Sequence, residues 1–112
     1  VIIVKNKNEF LSSFSNYRLF EVEVVSLSDK REFIATLSRV LNLPTYVLNW
    51  DGLIDEMRGL YKVDAEKIII ILYTDPEKNQ FLSDISEVVE TVNEFLKDFN
   101  REIILAVSEN RV

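Results

Sequence analysis

Seven consecutive residues, Lys67-Ile68-Ile69-Ile70-Ile71-Leu72-Tyr73, constrain what this chain can fold into more than any other run. A strand with one wet face alternates apolar and polar residues. A short, unbroken apolar run rich in isoleucine instead marks a strand covered on both faces, as at the centre of a parallel sheet. Parallel neighbours need long crossovers, usually helices, and the flanking sequence supplies them. Phe20 to Val25 alternates apolar residues with glutamate and reads as a strand. Ser28 and Asp29 then offer an N-cap, Glu32 completes a capping box, and Phe33, Ile34, Leu37, Val40 and Leu41 share one helical face. That helix stops before Pro44. Asn49 caps a second helix, expected to run to about Leu60 with Trp50, Leu53, Ile54, Met57 and Leu60 available to the core and Gly59 weakening its end.

After the turn at Asp75-Pro76, a long amphipathic helix aligns Leu82, Ile85, Val88, Val89, Val92, Phe95, Leu96 and Phe99 on one stripe. Its outer face carries Glu87, Glu90, Glu94 and Asp98, which read as a solvated surface. Ile103 to Val107 is a second buried strand. The order strand, helix, helix, strand, helix, strand predicts an α/β fold: a small three-stranded parallel sheet with right-handed crossovers, packed with helices. Val1 to Val4 is a candidate short strand and Glu9 to Phe14 a candidate short helix. Residues 1–19 are therefore expected to form an extension of uncertain structure on a single domain spanning 1–112. That length suffices for a core without disulfides or metal.

Composition removes most catalytic chemistry. The 112 residues contain no histidine and no cysteine, which leaves out the usual acid–base side chain near neutral pH and the usual zinc sites. Two glycines cannot build a phosphate-cradling loop. No cofactor or metal is expected. Nineteen acidic against 13 basic residues give a formal net charge of -6, which disfavours nucleic acid and anionic membranes as direct partners and favours a basic protein. No apolar run approaches the roughly 18 residues of a membrane span, and the start shows no secretory signal pattern. Lack of cysteine suits a reducing compartment, so the expected location is the cytoplasm.

Function concentrates in Leu43 to Glu56: a proline-stopped helix, a short aromatic loop, and a new helix whose first turns carry Asp51, Asp55 and Glu56. Acids at a helix start complement its dipole, but Asp51 and Asp55 are four apart, so they stack on one face and repel. From these residues alone the choice stays open between dipole complementation at Asp51 with a solvated Asp55–Arg58 pair, and a face built to receive cations.

Leu43-Pro44, Tyr46, Asn49-Trp50-Asp51-Gly52-Leu53, Asp55, Met57 and Gly59-Leu60 resemble the signature of the barstar family, small intracellular inhibitors of secreted ribonucleases. The element order resembles the family from about Phe20 to Ser108, while the specific motif lies between Leu41 and Leu60. The resemblance implies a helix-packed parallel sheet and inhibition by an acidic helix and its preceding loop, inserted into the enzyme's active site. It places the family's helix-start asparagine on Asn49 and its principal acids on Asp51 and Asp55, with Asp55 as the phosphate mimic and Asp51 as its support. Gly52 takes the position of a small residue that permits close approach, and Tyr46 that of the loop aromatic. Trp50 follows the asparagine as in many relatives and reads as a core or loop anchor as well as a candidate contact. The chain departs from the family's namesake in a loop one residue shorter between Pro44 and Asn49 and in Ile54, where the namesake has tryptophan. It departs again at Phe95, which takes the place of a contact acid on the last long helix. Glu56 matches no family contact.

The expected function is thus an immunity-type inhibitor of a basic ribonuclease toxin in a bacterial cell, not an enzyme. One alternative keeps the scaffold but changes the target to another basic toxin domain, since a fold never fixes a target. A third reading makes Asp51 and Asp55 paired carboxylates or magnesium ligands of an enzyme, although no other segment offers an obvious basic or nucleophilic partner.

Overall fold

The computed structural model describes residues 1–24, 28–44 and 47–109. At its centre lies β3 (Lys67–Tyr73), flanked on one side by β2 (Tyr17–Glu23) and on the other by β4 (Glu102–Ser108), with β1 (Ile2–Ile3) beyond β4. All pairings are parallel: Leu19 stands beside Ile69 and Ile69 beside Ile104, while Ile2 and Ile3 pair with Ala106 and Val107. The sheet therefore has four strands rather than the expected three. The apolar residues of Val1 to Val4 are too few to establish a strand by periodicity, and only their pairing with β4 makes them one.

Helices α2 (Lys30–Val40), α3 (Trp50–Met57) and α4 (Leu82–Leu96) contribute to one hydrophobic cluster against Val22, Ile68, Ile70, Leu72, Ile103, Leu105 and Val107. On the other face, Ile69, Ile71, Tyr73 and Ala106 are buried with Val4, and Phe10, Leu11 and Phe14 pack over them. Phe10 and Leu11 belong to α1 (Lys7–Leu11). Crossovers of one hand that run in opposite directions along a sheet place their helices on opposite faces. The β1-to-β2 crossover returns across the whole sheet, whereas β2-to-β3 and β3-to-β4 step the other way. Burying an isoleucine contributes about 1.5–3 kcal/mol relative to exposure, so cover for Ile69 and Ile71 is a large share of a domain's net stability. Lys7 Nζ lies 3.0 Å from Glu21 Oε1, and the Tyr73 hydroxyl donates to the same oxygen at 2.6 Å. These contacts fasten α1 to the strands beneath it.

Element boundaries follow local chemistry. Asp29 caps α2 by accepting from the Glu32 amide at 3.1 Å. At the other end Asn42 adopts φ 59°, the Asn42 amide donates to Arg39 O and the Leu43 amide to Ser38 O at 2.8 Å. This is a Schellman stop, completed by Pro44. The short helix expected at Glu9 to Phe14 starts earlier, because Asn6 caps it by accepting from Glu9 N. The first core strand begins at Tyr17 rather than Phe20, drawn out by its pairing with Lys67. The end expected for it at Val25 lies outside the described residues.

The second core helix is α-helical only to Met57, and Arg58–Lys62 continue as a 3-10 helix. Leu60 remains buried. Before α4, Asn79 is buried and bridges the Thr74 hydroxyl and the Phe81 amide. This clasp delays helix onset to Leu82. Beyond Leu96, α4 tightens into a 3-10 turn at Lys97–Phe99, and Phe99, expected on the buried stripe, is 41% exposed. No helix among the described residues is long and apolar enough to cross a membrane.

Candidate functional site

Helix α3 is held from within. Leu53 and Met57 are fully buried, which fixes the helix against the core and turns the opposite face outward. Its first residue, Trp50, is half-buried, with ring centroids 6.1 Å from Phe33 and 6.2 Å from Phe81. Phe33 and Phe81 lie 5.3 Å apart. The triad joins α2, α3 and the approach to α4, so Trp50 anchors the helix start through aromatic packing.

Asn49 is exposed and caps α3: its Oδ1 accepts from the Gly52 amide at 2.7 Å. A Cβ at Gly52 would lie 3.2 Å from both Asn49 Oδ1 and Val47 Cγ1. The absent side chain at 52 thus lets the cap and the buried Val47 close onto the first turn. The chain itself uses the smallness of this residue. Tyr46 lies outside the described residues.

Asp51 and Asp55 are both exposed on α3, and their four-residue spacing sets one above the other on the same face. Asp51 sits in the first turn, where the helix dipole favours it. The Asp55 side chain is 72% exposed and forms an ion pair with Arg58, Nη1 to Oδ1 3.1 Å. Glu56 is only half-exposed, one position round the helix. The arrangement offers two carboxylates, fixed by a cap at one end and a packed inner face below, to a cationic group arriving from solvent. Among the described residues, no three His, Cys, Asp or Glu side chains gather as a metal site.

Two features of this surface were not visible in periodicity. The guanidinium carbon of Arg58 stands 5.9 Å from the Phe95 ring centroid, and Tyr61, Phe95 and Phe99 form an aromatic patch with centroid separations of 4.6 to 6.3 Å. The patch depends on contact between α4 and the 3-10 helix after α3. In the sequence, the only signal was an aromatic pair four apart, Phe95 and Phe99, which a buried stripe explains equally well. Glu87, Glu90 and Glu94 on the outer face of α4, and Asp98 in the 3-10 turn after it, are all exposed, and Glu94 is engaged locally by Lys97 at 2.6 Å.

A family model described as Barstar (barnase inhibitor) matches residues 17–110. No curated protein matches the chain, and no solved structure does. The matched region begins at the start of β2, so the edge strand β1 and helix α1, which packs on the second face of the sheet, precede it.

Proposed function

The chain belongs to the barstar family, and from that premise we propose that it is an immunity protein that binds a basic ribonuclease toxin and blocks its active site. The observation that carries this reading is a pair of exposed carboxylates, Asp51 and Asp55, on the outer face of a helix whose inner face is locked into the core.

A ribonuclease must stabilise a negatively charged phosphate, so its cleft concentrates cationic side chains. An inhibitor competes by presenting carboxylates that are already in place. In this reading Asp55 takes the position of a substrate phosphate and Asp51 supports it from one turn earlier. Asn49 and Trp50 hold the first turn of α3 in register, Gly52 allows close approach there, and Tyr46 contributes from the loop. Preset acids lose little conformational freedom on docking, which favours affinity. The net charge of -6 steers a basic target toward this face and makes association faster at low salt than at high salt.

The test is co-purification with the product of the neighbouring gene, followed by a nuclease assay with and without this protein. The expected result is a stable complex, loss of RNA cleavage, and recovery of cleavage when Asp55→Ala replaces the native chain. Undiminished cleavage in the presence of a stoichiometric complex would remove the active-site reading.

A further inference from the structure

We propose that the aromatic patch of Tyr61, Phe95 and Phe99 extends the docking face that begins at Asp55, and that its occupant is an arginine side chain of the basic partner. That arginine takes the slot Arg58 now fills. The proposal rests on the inhibitor reading only for the identity of the partner; the slot itself stands on geometry.

Arg58 shows what the slot accepts. One of its nitrogens lies 3.1 Å from Asp55 Oδ1, and the guanidinium carbon lies 5.9 Å from the centroid of Phe95. A carboxylate to one side and a ring beneath are the two interactions that recognise a planar cation. A second cation, Lys62 Nζ, lies 5.7 Å from the ring centroid of Tyr61. The rings are interlocked: Tyr61 and Phe99 centroids are 4.6 Å apart, those of Phe95 and Phe99 5.1 Å. Phe99 is 41% exposed. Aromatic surface contiguous with a charged rim is a feature of interaction sites.

Arg58 is held weakly. Its pair with Asp55 is solvent-exposed, with 44% and 72% of the side-chain surfaces accessible, and exposed pairs typically contribute about 0–1 kcal/mol. An incoming guanidinium can therefore displace it, pairing with Asp55 and stacking on Phe95 while Arg58 swings into solvent. A lysine ammonium can pair with Asp55 but lacks the planar face that matches the ring. The slot thus discriminates between cations, and Arg58 acts as a built-in competitor that keeps Asp55 from capturing stray ones.

The experiment titrates capped triarginine and capped trilysine into the full chain, following the ring protons of Phe95 and Phe99 and the Asp55 carboxyl carbon by NMR. The native chain should bind triarginine more tightly than trilysine, with movement at both rings. Arg58→Ala should tighten triarginine binding by about two- to fivefold, the worth of one exposed cation–π or ion-pair contact. Phe95→Leu should remove the preference for arginine. Phe99→Leu, which keeps apolar cover over Tyr61 and Phe95, should weaken triarginine binding while thermal unfolding stays close to native. Ring signals that stay still, or an Arg58→Ala chain that binds triarginine no better than the native one, would overturn the proposal. No ribonuclease enters these measurements, so failure of the inhibitor reading and failure of the slot are separately visible.

Discussion

Helices α3 and α4 both present exposed acids, and the two surfaces differ in what holds and surrounds them. On α4, Glu87, Glu90 and Glu94, followed by Asp98 in the 3-10 turn beyond it, lie along the outer side of a long helix. Glu94 is satisfied within its own turn by Lys97. On α3 the two acids occupy a short helix that is capped by Asn49, anchored through Trp50 to Phe33 and Phe81, and buried beneath at Leu53 and Met57. Asp55 adjoins an aromatic patch through Arg58. Like charges therefore do not make like surfaces. The α3 acids stand on a turn held by a cap and a packed inner face, whereas those of α4 lie on an open helix side.

The largest effect expected from breaking this contrast is on inhibition. Asp55→Ala should weaken binding of the target by about 2–5 kcal/mol, the range for truncating one partner of a buried charge pair at an interface. Glu87→Gln with Glu90→Gln should leave the dissociation rate unchanged and slow association modestly at low salt only. Stopped-flow association and dissociation measurements at two ionic strengths separate the two, and equal losses from both helices would abolish the distinction. Asn49→Ala should come next, costing about 1 kcal/mol of stability through loss of the cap, read by urea unfolding. It should also weaken inhibition less than Asp55→Ala does, because the acids remain but their turn loosens.

The smallest effect belongs to the Glu94–Lys97 pair. The hydrogen bond from Lys97, reinforced by its charge, holds the Glu94 carboxyl below its ordinary value, and the same contact raises Lys97. A lowered carboxyl contributes stability above its unfolded value and loses it as pH falls through the folded value. A raised ammonium contributes below its unfolded value and loses it as pH rises through the folded one. The pair is therefore complete across the neutral range and lost at both extremes. Both groups are exposed, so Lys97→Met should move the Glu94 midpoint upward in an NMR titration while the unfolding transition at neutral pH stays in place.

Much of this was readable in advance where the determining contacts are local. The unbroken isoleucines of β3 announced burial on two sides, the Asp29 cap marked the start of α2, and the spacing of Asp51 and Asp55 placed them on one face. What escaped depends on contacts between distant segments. Nothing near Phe10, Leu11 and Phe14 shows that they cover Ile69 and Ile71, a contact across more than half the chain that only the folded sheet creates. The direction of Trp50 is set by Phe33 and Phe81, from two other segments. Phe99 lies beyond the end of α4 and packs on Tyr61 and Phe95 rather than into the core, a contact with another segment that the stripe through Val92 and Leu96 does not show. Tyr61 likewise meets Phe95 from the 3-10 helix after Met57.

The pairing of Ile2 and Ile3 with Ala106 and Val107 bears on how the molecule assembles. Each inner strand meets a neighbour across one crossover, whereas β1 must close a loop spanning almost the entire sequence. Loop-closure entropy grows with that separation, and contacts between distant positions form slowly. The sheet is therefore expected to grow outward from β3, with β1 and the helix behind it docking last. Until they do, a folding chain exposes the wall of Ile69, Ile71 and Ala106 to every neighbour, and this interval is when it is most open to aggregation.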